Sequence, residues 1–161
     1  MPLLYDLYYC KFKTWNIFLN ANIKGDFIVI SEAQSVSKET VHKILIIDDN
    51  TSNTLLLEKM LKISGYKDIK VSTDPREATK LCQTYTPDLL LLDLRMPYLD
   101  GFEVINELDA ANLNTMPIIM ISAENDKTYH VKALQLGVKD FITKPFNFAE
   151  ILQKIKEILS S

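Results

Sequence analysis

From Lys43 onward the chain alternates between short apolar runs and longer amphipathic stretches. The runs are Ile44–Ile47, Ile69–Val71, Leu89–Leu92, Ile118–Ile121 and Phe141–Ile142. Three of them, Ile44–Ile47, Leu89–Leu92 and Ile118–Ile121, are apolar at every position, as strands buried on both faces of a parallel sheet must be. Their starts lie 20 to 29 residues apart, room for a turn, a helix and a return each time. The stretches between them carry helix signals. Asp74-Pro75-Arg76-Glu77 offers an N-cap, a proline at the first helical position and an acid at the third. Asp100 with Glu103 and Asn147 with Glu150 repeat the cap-to-acid spacing. Ile151, Leu152, Ile155, Ile158 and Leu159 form one apolar helical face. Gly65 and Gly137 fall where helices should end. The pattern predicts five β-α units, hence an α/β fold with a doubly wound parallel sheet and helices on both faces.

Ligands of open α/β sheets bind beyond the carboxyl ends of the strands. The residues that follow the runs are therefore the candidate site: Asp48 and Asp49, then Asp93, then Ser122, then Thr143 and Lys144. Only the second run ends blandly, in Ser72-Thr73. Any one of these side chains alone would be an ordinary solvated strand end. Together they predict three carboxylates, a hydroxyl and an ammonium on one rim. Neighbouring carboxylates repel unless a cation joins them. An oxygen-only donor set without His or Cys suits a hard divalent ion, Mg²⁺ above all. Lys144 and Ser122 would then serve the oxygens of a bound phosphoryl group. A carboxylate held among such groups is a phosphoryl acceptor by the acyl-phosphate route.

Composition narrows the classes further. The chain has 161 residues, 47% of them apolar and 24% charged, which describes a soluble globular protein. A net charge of −3 argues against a broad basic surface for nucleic acid. Four dispersed glycines form no phosphate loop, and Cys10 and Cys82 alone make neither a disulfide framework nor a zinc site. No apolar run is long enough to span a membrane, so a reduced, cytoplasmic protein is expected. Charge and aromatic content divide the chain. Before Lys43 there are four basic and four acidic residues, leaving +14 against −17 after it (18 − 4 and 21 − 4). Seven of the fifteen aromatics lie within residues 1–42. The polar run from Ser31 to Thr40 reads as a linker. The expected domains are therefore 1–42, an extension and linker, and 43–161.

Residues 44–49 (Ile-Leu-Ile-Ile-Asp-Asp), 93–97 (Asp-Leu-Arg-Met-Pro), Asp100-Gly101, 121–123 (Ile-Ser-Ala) and 144–146 (Lys-Pro-Phe) occur in that order and spacing. At these positions the sequence resembles the receiver domain of two-component response regulators, over essentially all of 43–161. The resemblance implies a flavodoxin-like sheet of strand order 2-1-3-4-5. It implies that Asp93 takes a phosphoryl group from a sensor histidine kinase or phosphotransfer protein. Asp49 would be the direct Mg²⁺ ligand, with Asp93, the backbone carbonyl of Arg95, and Asp48 acting mainly through water. Lys144 would contact the phosphoryl group, Ser122 would move to bond it, and small Ala123 would leave it room. The Lys144–Pro145 bond is cis in such proteins. Phe141 occupies the aromatic switch position; lacking a hydroxyl, it can gate by packing alone.

Further expectations follow from that resemblance. Because nothing follows the last helix, the chain is expected to be a stand-alone receiver. It would signal to an unknown output protein through its helix 4–strand 5–helix 5 face, with no direct DNA binding and with a phosphorylation-dependent dimer as one form. It would catalyse only its own phosphorylation and dephosphorylation. Two rivals share the topology. A haloacid-dehalogenase-like phosphatase wants a second Asp two residues after the first, where Arg95 stands. A flavodoxin-like FMN carrier wants a hydroxyl-rich phosphate loop where Asp48-Asp49 would repel the ligand. Arg95 and Glu124, each two residues beyond a site residue, either pair to screen Asp93 from water or stand as independent solvated charges.

Read as a helix, residues 3–20 gather Leu4, Tyr8, Phe12, Trp15 and Leu19 on one side. A partner-docking helix, an interfacial membrane helix and a segment without native role, ahead of a valine-coded start at Val41, are the competing readings. His130 reads as a surface helix residue, His42 as linker and Cys82 as core.

Overall fold

The computed structural model describes Phe18–Ala21, Phe27–Ile30 and residues 41–160. Two short strands, β1 (Phe18–Ala21) and β2 (Phe27–Ile30), pair antiparallel with Phe18 opposite Ile30. Residues 18–20 are thus strand, not the end of the helix expected over 3–20. The β-branched run Ile28-Val29-Ile30 supplies a pairing partner that helical periodicity in one segment could not reveal. The rest of that expected helix and the Ser31–Thr40 linker lie outside the described residues. The chain divides into units Met1–Thr40 and Val41–Ser161.

In the second unit the apolar runs become strands β3 (Lys43–Ile47), β4 (Asp68–Ser72), β5 (Leu89–Asp93), β6 (Ile118–Ser122) and β7 (Asp140–Thr143). All pairings are parallel, in the order β4-β3-β5-β6-β7. Counted within this sheet alone, that order is 2-1-3-4-5, as expected. Five helices alternate with the strands: α1 (Thr51–Ile63), α2 (Ala78–Tyr85), α3 (Gly101–Ala110), α4 (Lys127–Gln135) and α5 (Phe148–Leu159).

Side chains of a strand alternate between faces, so a strand apolar throughout must feed two cores. Leu45, Ile47, Leu90, Leu92, Ile118 and Met120 pack with Cys82 of α2, Phe102 and Leu108 of α3 and Ala133 of α4. Ile44, Ile46, Leu89, Leu91, Ile119 and Ile121 pack with Leu57 and Leu61 of α1 and Ile151 and Ile155 of α5. Cys82 is buried as expected, and burial pushes its thiol up to about 11. Such a thiol is packing, not a nucleophile.

The caps were legible. Asp100 and Glu103 form a complete capping box on α3, and Asn147 caps α5 through the Ala149 amide. Asp74 caps a 3₁₀ turn, Pro75–Glu77, which runs into α2. Gly65 (φ 97°) and Gly137 (φ 83°) follow α1 and α4, and the next amides return to Leu61 and Ala133. Gly101 serves closeness instead: a Cβ there would lie 2.6 Å from the carbonyl oxygen of Asp93 and 3.1 Å from Leu94 Cα. The start of α3 is thereby held against the end of β5.

The two glycines should therefore fail differently. Gly101→Ala forces backbone against backbone beside Asp93 and is expected to cost about 2 kcal/mol or more. Gly137→Ala has open space and bears only the left-handed backbone, about 1 kcal/mol. Urea denaturation of both variants checks the order.

Candidate functional site

Strand register assembles the site. Ile47 of β3 pairs with Leu92 of β5, so Asp48 follows beside Asp93. Asp93 pairs with Ile121 of β6, and Ser122 pairs with Thr143 of β7, so Lys144 follows at the same rim. The Lys144 amide donates to the Ser122 carbonyl at 2.7 Å, and the Lys144–Pro145 peptide is cis. Residues 48, 93, 122 and 144 thus reach one edge from four different strands.

The side chains then meet around a shared cation. Lys144 Nζ donates to Asp93 Oδ1 at 2.6 Å and to Asp48 Oδ2 at 2.8 Å. Asp48 and Asp93 are 2% and 5% exposed, so both charges are taken from water. Asp93 Oδ2 accepts from the Arg95 amide at 2.9 Å. Burial pushes the Asp93 carboxyl above the ordinary carboxylate range, outweighing the Lys144 ammonium that pulls it down. Burial works against the Lys144 charge too, but its bonds to Asp48 and Asp93 prevail and its pKa rises.

The other expected site residues are placed less directly. Ser122 is buried, and its Oγ accepts from the Glu124 amide at 3.2 Å. Asp49 is exposed, so the expected cluster of three carboxylates is a buried pair bridged by lysine with a third acid beside it. Desolvation explains the difference: two buried carboxylates draw in the nearest cation, and an acid in water has no such need. Ala123 is exposed at the rim, and Phe141 is half-buried.

Three contacts were not anticipated from the sequence. Asn53, in the first turn of α1, donates Nδ2 to both oxygens of Asp48 at 3.1 Å each. His130, read as an ordinary surface residue, lies against Phe141 with ring centroids 4.0 Å apart. Arg95 does pair with Glu124, Nε to Oε1 at 2.9 Å, and it also donates to the Tyr129 hydroxyl at 2.6 Å. An asparagine near a helix start and a lone histidine are too common to single out, and Tyr129 belongs to an exposed-looking turn.

The donor chemistry fits a hard divalent ion. Asp48, Asp93 and Lys144 sum to −1, and Asp49 beside them brings the rim to −2. Carboxylate and carbonyl oxygens are the donors available, without thiolate or imidazole, and they match Mg²⁺ or its kin. Among the described residues no helix is long and apolar enough to cross a membrane.

A model of the response regulator receiver domain matches residues 44–156. The chain is 41% identical over 117 residues to the alkaline phosphatase synthesis transcriptional regulatory protein PhoP of Bacillus subtilis, covering 73% of this chain and 48% of that protein. It is 40% identical over 117 residues to the probable transcriptional regulator ycf27 of Porphyridium aerugineum, again 73% and 48%. The receiver domain of the Francisella response regulator 1452 superposes with a TM-score of 0.68 at 30% identity, covering 74% of this chain and 97% of that one. The chain spans about half the length of the curated relatives it matches. These relatives, named as transcriptional regulators, overturn the expectation of no direct DNA binding. That expectation came from charge and from where the sequence stops, and neither speaks to relatives in which the matched region is only 48% of the protein. The stand-alone reading gains no support from them either.

The buried carboxylate pair makes a stability prediction. An acid whose folded pKa is raised costs stability as pH climbs from its ordinary value, near 3.8, through the raised one, and the cost persists above. Asp93→Asn removes that cost while keeping an acceptor for the Arg95 amide. Without divalent cations, the variant is expected to be more stable than the parent at neutral pH, with the difference closing below about pH 4. Urea titrations across that range measure it.

Proposed function

The chain belongs to the response regulator receiver domain family of two-component systems, and on that premise we propose that Asp93 is its phosphoacceptor. The observation that carries the reading is the Asp93 carboxylate itself, fixed at one oxygen by Lys144 Nζ and at the other by the Arg95 amide. An oxygen of Asp93 attacks the phosphorus of a phosphohistidine on a sensor kinase or phosphotransfer protein. The P–N bond breaks, the imidazole leaves with a proton, and an acyl phosphate forms on Asp93. Water later cleaves that acyl phosphate to inorganic phosphate and the free carboxylate. The chain turns over only its own phosphoryl group.

Mg²⁺, when held by Asp49, Asp93 and the Arg95 carbonyl with Asp48 assisting through water, supplies charge neutralisation for the phosphoryl oxygens. Lys144, its ammonium already held at Asp93 Oδ1 and largely desolvated, would neutralise another phosphoryl oxygen. Ser122 supplies a hydroxyl once it turns toward the phosphoryl group. Its movement leaves space into which half-buried Phe141 can rotate, and that rotation breaks the His130–Phe141 ring contact. Phosphorylation thus biases two arrangements of α4 against β7. The output served by the whole protein is transcriptional regulation, the role named for its relatives.

Incubation with a small phosphodonor such as acetyl phosphate, with and without Mg²⁺, tests the reading by intact mass. One labile adduct of a single phosphoryl group is expected, dependent on Mg²⁺ and absent in Asp93→Ala. Steady phosphate release from many phosphoesters would overturn it in favour of a phosphatase.

The Arg95–Glu124 pair, two residues beyond Asp93 and Ser122, would screen Asp93 from attacking water, and Tyr129 also accepts from the guanidinium and lies under it. Arg95→Ala and Glu124→Ala are each expected to shorten the phosphoryl lifetime about threefold, the scale of one partly exposed ion pair. Decay of the purified adduct, followed by mass, checks this; unchanged decay in both variants rejects the screen.

A further inference from the structure

Lys144 cannot serve the phosphoryl group of a modified Asp93 and Asp48 equally. In the unmodified protein it bridges the two, and Asp48 is almost wholly buried. When Lys144 is drawn to a phosphoryl group, Asp48 must be satisfied by something else or the buried charge will hold the lysine back. Asp48 Oδ1 has two other donors, the Asn50 amide at 2.9 Å and Asn53 Nδ2 at 3.1 Å. Asp48 Oδ2 has one besides Lys144, and it is again Asn53 Nδ2, at 3.1 Å.

We propose that Asn53 is a positioning residue that keeps Asp48 hydrogen-bonded when Lys144 leaves it, and so frees the lysine for phosphoryl transfer. This rests on Asp93 being the phosphoacceptor. The local sequence builds the device as one unit. The Asn50 side chain caps α1 through the Ser52 and Asn53 amides, which fixes the first helical turn above Asp48. Asn53, five residues after Asp48, then reaches back to both carboxylate oxygens. A carboxylate only accepts, so the amide nitrogen must face it. The chemistry of an amide matters here. A lysine or arginine at this position would add a second positive charge and compete for the phosphoryl oxygens. A neutral donor satisfies Asp48 and leaves the negative rim intact for a divalent ion.

The test compares the parent chain with Asn53→Leu, which keeps bulk and removes the donor without lowering helix propensity, and Asn53→Gln, which keeps the amide. Labelling by acetyl phosphate with Mg²⁺ is followed by intact mass. Water exchange of the Lys144 ammonium protons is followed by ¹⁵N NMR on the unphosphorylated protein. Asn53→Leu is expected to slow labelling about tenfold, the scale of one hydrogen bond to a charged group. Its Lys144 protons should exchange more slowly, because Asp48 now grips the lysine harder. Asn53→Gln should restore both towards parent values. Parent-like labelling in Asn53→Leu overturns the proposal. So does slow labelling with unchanged Lys144 exchange, which would mark Asn53 as a fold residue. Asn53→Ala replaces the leucine variant if circular dichroism shows that it does not fold. If the parent itself takes no phosphoryl group, the phosphoacceptor reading fails, while the Lys144 exchange rates still judge Asn53.

Discussion

One ammonium shared by two buried carboxylates is the interaction on which the rest of this domain turns. Lys144 joins Asp48 and Asp93, side chains that belong to three separate β-strand ends and lie up to 96 residues apart. A parallel sheet brings all its carboxyl ends to one side, so three strands in fixed register can meet there without any loop having to reach. Both cores exist to hold that register: shifting any inner strand by one residue would exchange its two apolar faces and move its terminal side chain off the rim. Gly101 adds a tighter constraint, since only a residue without Cβ lets α3 start against the Asp93 backbone. The site is buried because the strands are buried, and its charges are tolerated there because the lysine and the carboxylates pair with one another.

That logic explains what could be read from the sequence and what could not. Runs such as Leu89–Leu92 announce a two-faced strand by being apolar throughout, and the acid directly after one is conspicuous. Asp93, Lys144 and Ser122 were legible on that ground, as were the caps at Asp74, Asp100 and Asn147. Asp49 was read as one of three carboxylates on the rim and, by resemblance, as the direct metal ligand; the structure adds that it is exposed while Asp48, its neighbour in sequence, is buried. Sequence spacing says which residues share a rim but not which are desolvated there. Asn53 was invisible for a related reason. Its partner is fixed by the pitch of a single helical turn above a strand end, and asparagine near a helix start already has an ordinary explanation as a capping residue. His130 was missed because its contact with Phe141 depends on how α4 is rotated against β7, which no periodicity in a short, weakly amphipathic helix specifies. At Phe18–Ala21 a helical pattern lost to pairing with a β-branched run nine residues on.

The contacts missed by sequence reading are those that link the site to its surroundings. Arg95, two residues beyond the phosphoacceptor candidate, makes the pair with Glu124 that its sequence position had suggested and also, unforeseen, donates to Tyr129 on α4. Tyr129 in turn stacks with Phe102 of α3, centroids 6.2 Å apart, and the next residue, His130, covers Phe141 of β7. Helix α4 is therefore tied at its first turn to the loops after β5 and β6 and to an edge strand. Its own contribution to the cores is slight: Ala133 is its one buried residue, and Val131 and Leu134 are exposed. An element held by a few polar and ring contacts, with little apolar burial, shifts at lower cost than one anchored like α5 through Ile151 and Ile155.

Shared cations and lightly held helices belong together in a switch. A lysine locked to a single carboxylate would resist any new anion, and one left free would lose its charge to the apolar surroundings. Sharing places Lys144 between those limits: either carboxylate can release it, provided that the one left behind is still satisfied. Besides Lys144, Asp48 already accepts from Asn50 and Asn53, whereas among the described residues Asp93 accepts only from the Arg95 amide besides the lysine. The asymmetry directs the lysine toward Asp93 whenever negative charge accumulates there. Charge added at Asp93 is therefore met by a movement already prepared on the Asp48 side. The loops after β5 and β6 carry Arg95 and Glu124, and through Tyr129 they are tied to α4, the helix with the least apolar anchoring.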